Sequence, residues 1–79
     1  MQTKRRKPAN LREIFAKNVL LHRAKLGLTQ DELADKCAYH RTYIGSVERA
    51  ERNITLATIE AFANAFSVEP FSLLVPSDE

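Results

Sequence analysis

The chain has 79 residues, 44% of them hydrophobic, with two glycines, three prolines and one cysteine, Cys37. That amounts to one domain at most, too poor in turn formers for a loop-rich β fold, too poor in cysteine for a disulfide framework, and without the roughly 20-residue apolar run of a membrane span. The net charge of +2 hides a polarity: residues 1–27 hold eight basic side chains against Glu13 alone, and residues 28–79 hold four against nine acids.

Residues 1–9 are polar and basic, include Pro8, and read as a flexible arm ahead of one folded unit over 10–79. They are no secretory signal, because Arg12, Glu13 and Lys17 interrupt the apolar stretch that follows. The charge polarity points to an anionic partner meeting one end or face, nucleic acid being the common one. A basic tail that only aids solubility is the alternative. The expected setting is the reducing cytoplasm.

Asn10 caps a first helix, with Glu13 completing a capping box. Leu11, Phe15, Val19 and Leu26 recur at helical spacing, His22 falls on the same stripe, and Gly27 stops the helix in a left-handed conformation. The first helix is therefore expected over 11–26. Thr29 and Glu32 form the next capping box, opening a short helix over 30–37 whose inward face is Leu33, Ala34 and Cys37. The turn 38–40 follows, with His40 at the next N-cap. A third helix is expected over 41–49, Ile44 and Val47 facing inward and Arg41, Thr42, Gly45 and Ser46 facing elsewhere.

Residues 50–54 form a charged loop, and Thr55 caps a fourth helix striped with Ile59, Phe62, Ala63 and Phe66. Ser67 and Val68 make a turn. Pro70 suits the first position of a fifth helix carrying Phe71, Leu73, Leu74 and Val75, which Pro76 ends. No segment alternates as a strand would. The fold class is all-α, five short helices.

Two short helices joined by a three-residue turn are the signature of a helix-turn-helix. In that unit the first helix crosses the DNA backbone and the second enters the major groove. The start of the second must then be polar rather than core. Here it reads His40, Arg41, Thr42, Tyr43, with Ser46 one turn on.

The joint pattern of Thr29-Gln30-Asp31-Glu32-Leu33-Ala34, Arg41-Thr42-Tyr43-Ile44, Val47-Glu48-Arg49, Arg52-Asn53 and Leu56 resembles the Cro/CI-type (XRE) helix-turn-helix repressors over about residues 11–74. Arg41 to Ile44, with Glu48-Arg49 and Arg52-Asn53, is similar to controller proteins of restriction–modification systems. The resemblance implies a compact, five-helix, lambda-repressor-like DNA-binding domain. It implies that Gln30 binds a phosphate and braces the recognition helix, that Arg41, Thr42 and Ser46 read bases, and that Arg52 and Asn53 lie on a loop against the DNA backbone. It also implies an internal ion pair between Arg23 and Glu48. Ala38, Ala50 and Ser67 depart from the pattern, standing where the family commonly has glycine at a helix end. A β-carbon there opposes positive φ, so remodelled turns are an expectation.

Several side chains have two readings. Arg41 can bond O6 and N7 of guanine together, or a phosphate. Thr42 can touch a thymine methyl or a phosphate. Tyr43 can donate to a phosphate or pack against the second helix. Gln30 to phosphate is favoured by both its side chain and the helix N-terminus. Arg52 serves phosphate, base or solvent, and Arg49 the helix dipole or DNA. His40 contacts DNA or only caps, and His22 sits at the edge of the core. Cys37 is a small buried apolar residue, without a second cysteine for a redox pair. The basic residues Lys4 to Lys7 lie along DNA or in solvent. Two histidines and one cysteine give no zinc site, and neither a metal nor another cofactor is expected.

Helix 5 is richer in apolar side chains than a monomer needs. A two-fold dimer is expected, built from Phe71, Leu73, Leu74 and Val75 and aided by Ile14 and Leu21; closure of the chain's own core is the alternative. The function expected is a sequence-specific transcriptional regulator binding inverted-repeat operators as a homodimer, autoregulatory in the manner of a controller protein. Its partners would be double-stranded DNA and a second copy. No small-molecule ligand is expected, since no sensing domain fits in 79 residues. The competing reading is an antitoxin-type module that binds a partner protein first and DNA second. An enzyme is disfavoured, because no paired carboxylates, nucleophile–base set or glycine-rich phosphate loop is apparent.

Overall fold

The computed structural model describes residues 10–77; the basic arm expected over 1–9 lies outside the described residues. Four α-helices follow in order: α1 (Leu11–Leu26), α2 (Gln30–Cys37), α3 (Arg41–Glu48) and α4 (Leu56–Phe66), then a short 3-10 helix, Pro70–Leu74. No strand occurs among the described residues.

Each α-helix starts where a side chain can satisfy an otherwise orphaned N–H. The Glu13 N–H donates to Asn10 Oδ1 at 3.2 Å. Thr29 and Glu32 close a full capping box, at 3.0 and 2.8 Å. The Thr42 N–H donates to His40 Nδ1 at 3.1 Å, and the Thr58 N–H to Thr55 Oγ1 at 3.1 Å.

All four α-helices end in the same way. A residue with positive φ follows the helix, and the N–H after it reaches back five positions: Leu28 to Arg23, Tyr39 to Ala34, Glu51 to Ser46 and Val68 to Ala63. The left-handed residues are Gly27 (φ 68°), Ala38 (60°), Ala50 (59°) and Ser67 (59°). The turns expected to be remodelled are therefore of the same kind as the glycine turn. Ala38, Ala50 and Ser67 take the strained conformation, at roughly 1–2 kcal/mol each. The doubled hydrogen bonds hold it, together with Tyr39 and Val68, which pack on the core just beyond two of the turns.

α1 packs on α3, α4 and the 3-10 helix, while α2 packs on α3 and α4. The fully buried centre is Phe15, Val19, Leu33, Ile44, Val47, Phe62 and Leu73, each side chain contributing about 1.5–3 kcal/mol of burial. Leu11 and Leu26 belong to the expected stripe of α1 but are each 51% exposed. Sixteen helical residues run about 24 Å, which overhangs so small a core at both ends.

The expected fifth α-helix is a 3-10 turn of five residues. Ser72 N–H donates to Glu69 O at 3.0 Å and its Oγ to the same oxygen at 2.7 Å, tightening the first turn. The strap is fastened from outside: Asn18 Nδ2 on α1 donates to the carbonyls of Leu73 and Val75, both at 2.9 Å. Leu73, expected at a dimer surface, is instead fully buried in the chain's own core.

Candidate nucleic-acid interface

α2, the turn 38–40 and α3 place the start of α3 at the surface. His40, Arg41 and Thr42 are exposed there, while Ile44 and Val47 one turn on are buried. His40 spends Nδ1 on the cap, so Nε2 is the ring nitrogen left for an outside group. The Thr42 hydroxyl has no side-chain partner among the described residues.

Arg41 is steered from α2. Its Nη1 donates to Gln30 Oε1 at 3.4 Å, and its Nε lies 3.5 Å from Asp31 Oδ1. Gln30 is held in turn, Nε2 donating to Glu48 Oε1 at 2.9 Å. Glu48 is the hub of this relay. Arg23 meets it through two bonds, Nε to Oε2 at 2.6 Å and Nη2 to Oε1 at 3.1 Å, and spends Nη1 on Leu28 O at 2.9 Å. The Glu48 side chain is only 5% exposed, Arg23 22%. One carboxylate thus ties α1, the α1–α2 turn and the start of α2 to the end of α3. A largely buried pair of this kind fixes geometry more reliably than it adds stability.

Gly45 and Ser46, expected to face away from the core, are buried instead. Ser46 Oγ donates to Tyr43 O at 2.8 Å and accepts from Arg52 Nε at 3.0 Å. The surface over Ser46 is the Arg52 guanidinium, whose carbon stands 5.3 Å from the centre of the Tyr43 ring. Tyr43 is half-buried with its ring 4.8 Å from that of Tyr39 and tilted to it, so it packs against the turn rather than standing free. Tyr39, which sequence reasoning did not single out, anchors that pair: its hydroxyl pairs with buried Thr58 Oγ1 at 2.9 Å and its ring lies 5.9 Å from that of Phe62.

Arg49 stands just past the end of α3, bonded to Glu51 at 3.0 Å and folded over Gly45, where an added Cβ would meet its Nη1 at 3.0 Å. Asn53 accepts from Arg12 on α1 at 3.3 Å. Arg12 too went unremarked in the sequence beyond its charge, and only the basic surplus of residues 1–27 hinted at it.

His22 stacks on Phe66 at 5.1 Å, at the core edge as expected. Burial pushes the Cys37 thiol up to about 11 from its ordinary 9.0. Among the described residues, no His, Cys, Asp and Glu side chains gather in a metal-binding group, and no helix is long and apolar enough to cross a membrane.

Phe71 and Val75 are 68% and 53% exposed, while Leu74 is half-buried and borders a groove of about 330 Å³ between the start of α1 and the start of α4. Leu11 and Leu56 form the exposed lips of that groove.

Comparison with known proteins agrees with this geometry. Residues 21–73 match the helix-turn-helix family model. The chain is 43% identical over 70 residues to a hypothetical transcription factor of Neisseria meningitidis serogroup B, covering 89% of this chain and 66% of that protein. It is 46% identical over 65 residues to control protein C.SmaI of Serratia marcescens, covering 82% of this chain and 77% of that one. The crystal structure of the hypothetical transcription factor NHTF from Neisseria superposes with a TM-score of 0.82 at 39% identity, covering 95% of this chain and 88% of that one. The controller protein C.Esp1396I, solved as a tetramer with its natural 35 base-pair operator, superposes with a TM-score of 0.75 at 29% identity, over 84% of this chain and 87% of that one. The chain belongs to the helix-turn-helix family of Cro/CI-type (XRE) transcriptional regulators and is similar to restriction–modification controller proteins.

Proposed function

We propose that this protein is a sequence-specific transcriptional regulator that binds inverted-repeat operators as a homodimer and controls its own promoter, as a controller protein does. The observation that carries this is the relay Arg23–Glu48–Gln30–Arg41, which aims an exposed arginine from the start of α3. Arg41 and Thr42 read base edges. Ser46, the third expected reader, works through the Arg52 it carries. Gln30, His40, Tyr43, Arg52 and Asn53 set the register against the phosphates. Binding rather than catalysis is the activity, and it takes place in the cytoplasm, on the nucleoid.

Dimerisation supplies the length of readout, since one helix-turn-helix spans few base pairs and a two-fold pair addresses half-sites about 34 Å apart. Phe71 and Val75, with Leu74, offer the apolar surface for it. C.Esp1396I on its 35 base-pair operator is a relative in which such chains assemble on DNA.

The test is fluorescence anisotropy on the duplex upstream of the gene, against a random duplex, over a salt series. Tight binding to the first alone, with a steep salt slope and two chains per site, supports the regulator. Equal weak binding to both would overturn sequence-specific control at that promoter.

A further inference from the structure

The arginines of the folded unit differ in how their charge is met. Arg23 lies on Glu48, Arg41 beside Asp31 and Arg49 on Glu51. Arg12 and Arg52 have no carboxylate partner among the described residues. Both are instead tied into one loop: Arg52 belongs to it and rests on Ser46 and Tyr43, and Arg12 reaches its next residue, Asn53, from 41 positions away.

We infer that Arg12 and Asn53 form a second phosphate-binding pair, contacting the DNA backbone beyond the groove that α3 enters. The inference rests on the DNA-binding function proposed above and adds a site on α1 to it.

Three observations support the pair. The first is continuity. Tyr43 and Ser46 of α3 carry Arg52, the next residue is Asn53, and Asn53 carries Arg12. Donor side chains therefore run unbroken from the recognition helix to the first turn of α1. The second is donor chemistry. Arg12 spends one N–H on Asn53 Oδ1, which leaves the other N–H groups of its guanidinium fork and those of the Asn53 amide as donors. Both residues are exposed. A guanidinium beside a primary amide, both presenting N–H groups, matches the paired oxygens of a phosphodiester. The third is the position of the charge. A cation in the first turn of a helix opposes the helix dipole, so the stability of α1 does not account for Arg12.

The test uses the full-length protein on a mixed-sequence duplex, because a phosphate contact is indifferent to sequence. Arg12→Gln should lower the slope of log affinity against log salt by about 0.9 per bound chain. Lys17→Gln makes the same charge change on another face of α1, beside Pro76 and Ser77, and should leave the slope unchanged. Arg12→Lys should retain the wild-type slope. Asn53→Ala combined with Arg12→Gln should weaken binding by less than the product of the two single effects. Unfolding midpoints of all variants should match the wild type, since both side chains are exposed. A wild-type slope in Arg12→Gln, or an equal fall in Lys17→Gln, would overturn the pair while leaving the proposed regulator intact. Absence of salt-dependent binding by the wild-type protein would overturn both.

Discussion

Arg23 grips Glu48 with two nitrogens, at 2.6 and 3.1 Å, and the same carboxylate receives Gln30 at 2.9 Å. The recognition helix is thereby aimed from α1 as well as from α2. Removing one partner of a buried pair strands the other. Glu48→Ala should cost about 2–3 kcal/mol, below the roughly 3–5 kcal/mol of a fully buried pair, because Arg23 keeps some contact with water. Urea unfolding measures it. Glu48→Gln, which keeps an acceptor for one donor, should cost less. Equal stability of Glu48→Ala and wild type would show the relay to be ornamental.

Arg41→Ala should reduce discrimination between specific and random duplex, by about 1–3 kcal/mol, if the guanidinium reads a guanine. Competition binding on the two duplexes measures this. An equal loss on both would assign Arg41 to a phosphate.

Ser46 lies under Arg52, so its influence on DNA should pass through that arginine. Ser46→Ala should weaken binding in the wild-type background and have little further effect in an Arg52→Ala background. Additive losses in the double variant would mean that Ser46 reaches DNA by itself.

Ala38, Ala50 and Ser67 each take a conformation that glycine adopts without strain. Replacing each with glycine should stabilise the fold by about 0.5–1 kcal/mol, strain relief outweighing the larger entropy of the unfolded chain. The unfolding temperature should rise by several degrees per substitution. A fall on all three would mean that the β-carbons make contacts worth more than the strain.

The raised thiol of Cys37 sets an alkaline limit. Above about pH 9 the unfolded chain loses the proton while the folded chain keeps it, so stability should fall as pH rises from about 9 to 11 and be unaffected below. Cys37→Ala should remove that part of the decline, measured as unfolding midpoints across the range. Near neutral pH the folded protein should react slowly with thiol reagents.

Much of this protein is written locally. Asn10, Thr29, His40 and Thr55 each announce a helix start and each accepts a first-turn N–H, although of the two expected capping boxes the full one is that of Thr29 and Glu32, Asn10 and Glu13 sharing one bond. The three-residue turn before α3 and the polar start of that helix mark the helix-turn-helix. Capping and short-range spacing involve residues three or four apart, and those relations survive in the sequence. What folding alone decided involves partners far apart in the chain. Asn18 donates to the carbonyls of Leu73 and Val75, 55 and 57 positions away, across a 3-10 strap where a helix was expected, and Leu73 on that strap lies in the core. Ser46, polar and on a helix taken to be open, is covered by an arginine from the following loop. Arg12 finds Asn53 across the whole of α2 and α3. A residue's own period along a helix tells which way it points, but not which distant backbone or guanidinium will arrive there to bond it.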